Sequence, residues 1–116
     1  MKTNIENNFK FACYAMNNAK MFLVMVRSRD YCHAVDQFRC LEKNAERVDS
    51  EINTQFTKLV ELASKLVDDL LVVVSPDSEQ REKHNASSRL SRRYVRIRKR
   101  ILMLDEQLES VRLMLY

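Results

Sequence analysis

EKNAERVDSEINT, residues 42–54, is the stretch that decides how this chain is laid out. It sits inside a seven-residue repeat in which Tyr31, Phe38, Ala45, Ile52, Leu59, Leu66 and Val73 recur without a slip. Ala34, Leu41, Val48 and Leu62 hold the companion positions, with Phe56 and Leu70 one place late. Such spacing is that of a helix packed along one stripe. Glu42 to Thr54 is polar and is the weakest part of the stripe, yet it holds no glycine or proline to force a turn. Read without a break, the pattern predicts one helix over about 30–74, roughly 66 Å long at 1.5 Å per residue. A bend near Thr54 is the alternative. A straight rod leaves apolar surface for a partner, whereas a bent one lets the chain close on itself.

Working outward, Thr3-Asn4-Ile5-Glu6 has the spacing of a capping box. Ile5, Phe9, Ala12, Met16, Ala19, Leu23 and Val26 then follow in steps of four and three, which predicts a helix over about 4–27. Phe11, Tyr14, Met21, Phe22 and Met25 widen its stripe, so this helix is expected to be buried on more than one side. Ser28 or Asp30 can cap the next helix. On the other side, residues 75–88, SPDSEQREKHNASS, have Ala86 as their one apolar residue and read as a loop opened by Pro76. Leu90, Tyr94, Ile97, Ile101, Leu104, Leu108, Val111 and Leu115 predict a last helix over about 89–115. With no glycine and one proline, the chain has few tight turns to make. The expected fold is all-α, one domain over 1–116, with three long helices in an antiparallel bundle or coiled coil and the central helix longest.

Composition narrows the function. An apolar fraction of 46% and a net charge of +4 argue against general disorder. Cys13, Cys32 and Cys40 are irregularly spaced, which suits free thiols acting as small apolar residues in a reducing compartment. The opening Met1 to Glu6 is polar and the apolar patch Met21 to Val26 is too short to span a bilayer. A cytoplasmic protein is expected, with the nucleus possible. Cys32 and Cys40 lie more than two helical turns apart, and His33 points about 100° away from Cys32, which is not zinc spacing. Glu61, Asp68 and Asp69 have no nucleophile or histidine placed beside them, and without glycine no backbone cradle for phosphate is expected. No catalytic, cofactor-binding or metal-binding residue is assigned. The six methionines read as core filler, with an adaptable binding surface as the other use of such side chains.

Charge is divided by segment: +4 over residues 1–29, −6 over 30–82 and +6 over 83–116. An acidic centre between basic flanks can fix the register of an antiparallel bundle. A reversal at Pro76 would bring Arg89, Arg92 and Arg93 near Asp68 and Asp69 at the end of the central helix. The basic run SSRLSRRYVRIRKRI, residues 87–101, places Arg92, Arg93, Arg96, Arg98, Lys99 and Arg100 on the flanks and outer face of the last helix. Such a face is either solvated or docks a partner; nucleic acid and nuclear import are compositionally compatible with it. No aromatic platform, zinc spacing or helix-turn-helix pattern accompanies it.

The stretches KLVDDLLVVVSP (65–76) and SRLSRR (88–93) together resemble the BAG domain of heat-shock co-chaperones. The resemblance covers about 50 residues of the chain. It implies a three-helix bundle whose last two helices are joined by a short Pro-containing link, although the link here is longer. It further implies binding to the ATPase domain of seventy-kilodalton heat-shock chaperones and faster nucleotide exchange. Asp68 or Asp69 would take the family's acidic role. Its basic pair would be Arg92-Arg93, Arg98-Lys99 or Lys99-Arg100, and only Lys99 has a glutamine, Gln107, at the family's spacing. Taken whole, the sequence predicts a non-enzymatic interaction module, an adaptor or complex subunit that meets protein partners through its helical seams as a homo- or hetero-oligomer. A BAG-like co-chaperone and a nucleic-acid-binding helix are the alternatives.

Overall fold

The computed structural model of the chain describes residues 2–48 and 51–115, with side chains over 9–48 and 54–114. Four helices account for nearly all of it: α1 (Lys2–Arg27), α2 (Tyr31–Glu46), α3 (Glu51–Val74) and α4 (Gln80–Leu115). The described residues include no strand. The all-helical class is as expected, but the count is four helices instead of three. The expected central helix over 30–74 is two, and the longest is α4, at 36 residues. The side chains of Thr3, Ile5, Glu6, Ile52 and Leu115, on which the expected cap and parts of the seams rest, lie outside those described.

The chain turns between Glu46 and Glu51, inside the polar stretch and just before the anticipated Thr54. α2 tightens as it ends: the Arg47 and Val48 amides donate to Asn44 and Ala45, three residues back, at 3.2 and 3.1 Å. Val48 then drops into the core at 1% exposure, and the Arg47 guanidinium lies 5.2 Å from the Phe11 ring of α1. Energetics explain a turn without glycine. Folding α3 back fully buries Phe56, Leu59, Ala63 and Leu66; the three larger ones contribute about 1.5–3 kcal/mol each. The few helical hydrogen bonds given up are worth about 1 kcal/mol each. Burial wins.

The expected loop over 75–88 also shrinks. Residues 75–79 form the turn and the helix is under way from Gln80. Gln, Arg, Glu and Lys are good helix formers, and one buried face is enough for residues 80–88, whose sole core member is the fully buried Ala86. Lack of apolar residues there marks an exposed helix, not a loop.

Each helix packs against two others, α1 on α2 and α4, and α3 on α2 and α4, giving an antiparallel ring of four. The body measures 53 × 22 × 21 Å, and its long axis matches the length of α4. One continuous core runs through it, with Phe22, Leu41, Phe56, Leu59, Leu66, Leu70, Ile97 and Leu104 at its centre. Alanines 12, 15, 19, 34 and 45 are buried along α1 and α2; small side chains let two helices approach closely. Cys13 is half-buried, with its thiol pushed up by that burial and secondarily by Asp105. Cys32 and Cys40 are exposed instead of filling the core, because Tyr31, Ala34, Phe38 and Leu41 take the inward face of α2.

At the α1–α2 turn, Arg29 adopts φ 62°. The Asp30 amide reaches the Met25 carbonyl at 2.9 Å and the Arg29 amide reaches Val26 at 3.1 Å. That double bond pattern ends a helix with a left-handed residue, usually glycine. This chain has none, and an arginine stands there. Of the two expected caps, Asp30 is the one used, accepting from the His33 amide.

Candidate functional site

The reversal at residues 75–79 lays the start of α4 against the end of α3, and a buried charge marks the contact. Asp69 is 5% exposed, the one buried charged residue among those described. Arg89 donates to its Oδ1 from Nε at 3.2 Å and from Nη2 at 2.9 Å. Arg93 donates from Nε to Oδ2 at 2.6 Å. Both carboxylate oxygens are thus satisfied by guanidiniums from successive turns of α4, an i, i+4 pair on one face. Its hydrogen bond to Asp69 raises the Arg89 pKa above its ordinary value, and their opposite charges add to this. Further along the same interface, Arg100 donates to Gln55 Oε1 at 3.0 Å.

Of the three arginines expected beside the acidic pair, Arg89 and Arg93 reach it, and they choose Asp69; Asp68 is exposed on the other side of α3. Arg92 is turned about 100° away from Arg93 and faces solvent. Arg96, Arg98, Lys99 and Gln107 are also exposed, whereas Arg93 and Arg100 are half-buried and bound within the chain. The residues singled out in the sequence therefore separate into an internal set and a solvent-facing set.

Three shallow features flank the solvent-facing set. Arg89, Arg92, Arg93 and Arg96 line a cleft of ≈ 210 Å³. Ser91, Arg92, Val95, Arg96 and Lys99 line a neighbouring one, and Leu62, Arg96, Lys99, Arg100 and Met103 a third. Apolar side chains are interleaved with the basic ones: Val95 is 46%, Leu102 55%, Met103 46% and Leu113 69% exposed. At 100° per residue, Arg92, Val95, Arg96, Lys99, Leu102, Met103, Glu106 and Leu113 fall within a sector of about 120°. The seam reading missed this second stripe because it followed the inward positions only. Its signal was present, since Val95, Lys99, Leu102 and Met103 sit off the inward seam, with Lys99 four residues after Val95 and three and four before Leu102 and Met103.

Elsewhere the surface offers less chemistry. His33 hydrogen-bonds Asp30 at the cap of α2, at 2.6 Å, and His84 is exposed near the start of α4. Among the described residues no three metal-ligating side chains gather, and no helix is long and apolar enough to cross a membrane. Compared with known proteins, the chain matches no protein-family model, no curated protein and no solved structure. The co-chaperone resemblance therefore rests on residues 65–76 and 88–93 alone.

Proposed function

We propose that this chain is a non-enzymatic helical interaction module that docks a protein partner along the solvent face of α4. The observation that carries the reading is the mixed stripe of Val95, Leu102, Met103 and Leu113 among Arg92, Arg96 and Lys99. The inward face of α4 is already buried by α1 and α3, and this stripe lies outside the buried core. Exposed apolar side chains that follow a run of basic residues along one helix face are what a groove-seeking amphipathic helix recognises. A helix with an apolar seam and acidic flanks is the complementary partner. The pairing of Asp69 with Arg89 and Arg93 supports the reading, because it holds α3 on α4 and so fixes the face that docks.

The test is quantitative capture of partners by the wild-type chain and by Leu102→Glu/Met103→Glu. Both positions are exposed, so the helical circular-dichroism spectrum and melting should be preserved. The expected result is a discrete set of proteins held by wild type and lost by the variant. Retention of every captured protein by the variant removes α4 as the docking face. Nuclease-sensitive capture, abolished instead by Arg92→Glu/Arg96→Glu, favours nucleic acid over a protein.

A further inference from the structure

Arg89, Arg92, Arg93 and Arg96 follow the spacing i, i+3, i+4 and i+7, so their side chains leave α4 as one compact patch. They alone line the ≈ 210 Å³ cleft between them. Two of the four are fixed in place. Asp69, buried in α3, holds Arg89 by Nε and one Nη and Arg93 by Nε. Each guanidinium carries five N–H donors, so most of theirs remain uncommitted. Arg92 and Arg96 have no hydrogen-bond or ion-pair partner among the described residues and are exposed. Four positive charges therefore face one carboxylate, and that carboxylate is sealed beneath them. Lys65, one turn before Asp69 on α3, adds to the imbalance.

We propose that this patch is a binding site for a single phosphoryl group, carried by the protein segment that docks on α4. The inference rests on the docking reading above and names its chemistry. A phosphate monoester offers close to two negative charges and three acceptor oxygens in a volume that four converging guanidiniums can surround. Arginine forks match those oxygens in pairs. Asp69 supplies the order: it holds Arg89 and Arg93 before any ligand arrives, so less side-chain freedom is lost on binding. The continuation of the face argues against a nucleic-acid strand. A phosphodiester track needs basic side chains at each successive step and aromatic platforms for bases. Here the stripe passes from Lys99 to Leu102 and Met103 and then to Glu106 and Glu109, apolar and then acidic. A phosphorylated protein segment can place its phosphoryl group in the patch and an apolar side chain on Leu102 and Met103; a nucleic-acid backbone would run into the glutamates.

The probe is phenyl phosphate, titrated at constant ionic strength while the Nε–H resonances of the arginines are followed by NMR. Sodium chloride and a single-stranded oligonucleotide serve as parallel arms. The expected result is saturation, with the resonances of Arg89, Arg92, Arg93 and Arg96 moving together. Arg92→Gln/Arg96→Gln should bind at least about tenfold more weakly with unchanged circular dichroism. Binding should also weaken as pH falls through about 6, where the phosphoryl group gains a proton. Absence of saturation, or identical shifts produced by chloride, overturns the proposal. So does an oligonucleotide that displaces phenyl phosphate with a steep salt dependence, which makes the patch a nucleic-acid contact. Leu102→Glu/Met103→Glu separates this site from the docking stripe. Saturation by phenyl phosphate without partner capture sinks the docking reading and leaves the anion site. Partner capture that depends on Leu102 and Met103, without saturation, does the reverse.

Discussion

The two hairpins of this bundle, α1–α2 and α3–α4, are closed by different chemistry. Between α1 and α2 the side-chain hydrogen bonds are neutral: Asn18 donates to Gln37 at 3.1 Å and accepts from Asn44 at 2.7 Å. Buried alanines line that interface on both helices. Between α3 and α4 the contact is charged, with Asp69 under Arg89 and Arg93, and larger side chains such as Leu66, Leu70 and Ile97 fill the core. Neutral amides that lose a partner can turn to water from a half-buried site at modest cost. A carboxylate at 5% exposure has no such escape. The difference teaches that the first hairpin tolerates errors of polar pairing, whereas the second enforces its register, and the enforced hairpin is the one that carries the candidate docking face.

The largest effect should come from stranding the carboxylate. Arg89→Ala/Arg93→Ala is expected to destabilise the chain by about 3–5 kcal/mol, because an unpaired buried charge remains. Asp69→Asn should cost less, about 1–2 kcal/mol, since the two guanidiniums are 40% and 27% exposed and can swing into solvent. Urea denaturation of both variants checks the order. If Asp69→Asn proves the more damaging, the enforcing member is not the buried acid. Arg92→Ala, one residue from Arg93 but facing water, is the control and should stay within about 0.5 kcal/mol of wild type.

A middle-sized effect belongs to the neutral hairpin. Asn18→Ala removes both amide bonds, but Gln37 and Asn44 are half-buried and can be rehydrated, so the expected loss is about 1 kcal/mol. Measured beside the arginine pair, this tests the contrast directly. A loss near that of Arg89→Ala/Arg93→Ala would mean that both hairpins are register-locked and that charge is not the distinguishing feature.

Much of this was legible in the sequence, and the parts that were not have physical reasons. The seams named the core well: Ala12, Met16, Ala19, Leu23, Phe38, Leu41, Leu59, Leu66, Ile97 and Leu104 are all buried. A seven-residue repeat reports which face is buried and is silent on direction. Tyr31 to Val73 satisfies it equally as one rod or as two helices folded together, and no glycine or proline marks the turn after Glu46. The start of α4 was hidden for the opposite reason, since residues 80–88 are helical without an apolar stripe. The approach of Arg89 and Arg93 to the acidic pair could be read from the reversal at Pro76, because one hairpin turn suffices to bring them there. The choice of Asp69 over Asp68, and the exclusion of Arg92, needed the rotation of both helices. The outward stripe at Val95, Leu102 and Met103 was visible in spacing, but only burial shows that nothing in the chain covers it.

The smallest predicted effect tests whether the α1–α2 hairpin is indifferent to charge throughout. At its turn His33 meets Asp30 at 2.6 Å. The hydrogen bond to Asp30, then the charge of Asp30, raises the pKa of His33 above its ordinary value of 6.5. A group whose pKa is higher in the folded chain stabilises that chain in its protonated form. The contribution is therefore complete on the acid side of 6.5 and is lost as pH rises through the raised native value. His33 is fully exposed, so the gain is small, and only a difference measurement will show it. Melting temperatures of wild type and His33→Gln should converge at alkaline pH and separate in favour of wild type as the solution is acidified through neutrality. A constant gap across that range would show that His33 acts on the cap of α2 through its neutral ring alone, and the first hairpin would then be free of charge-dependent stability at its turn as well as along its interface.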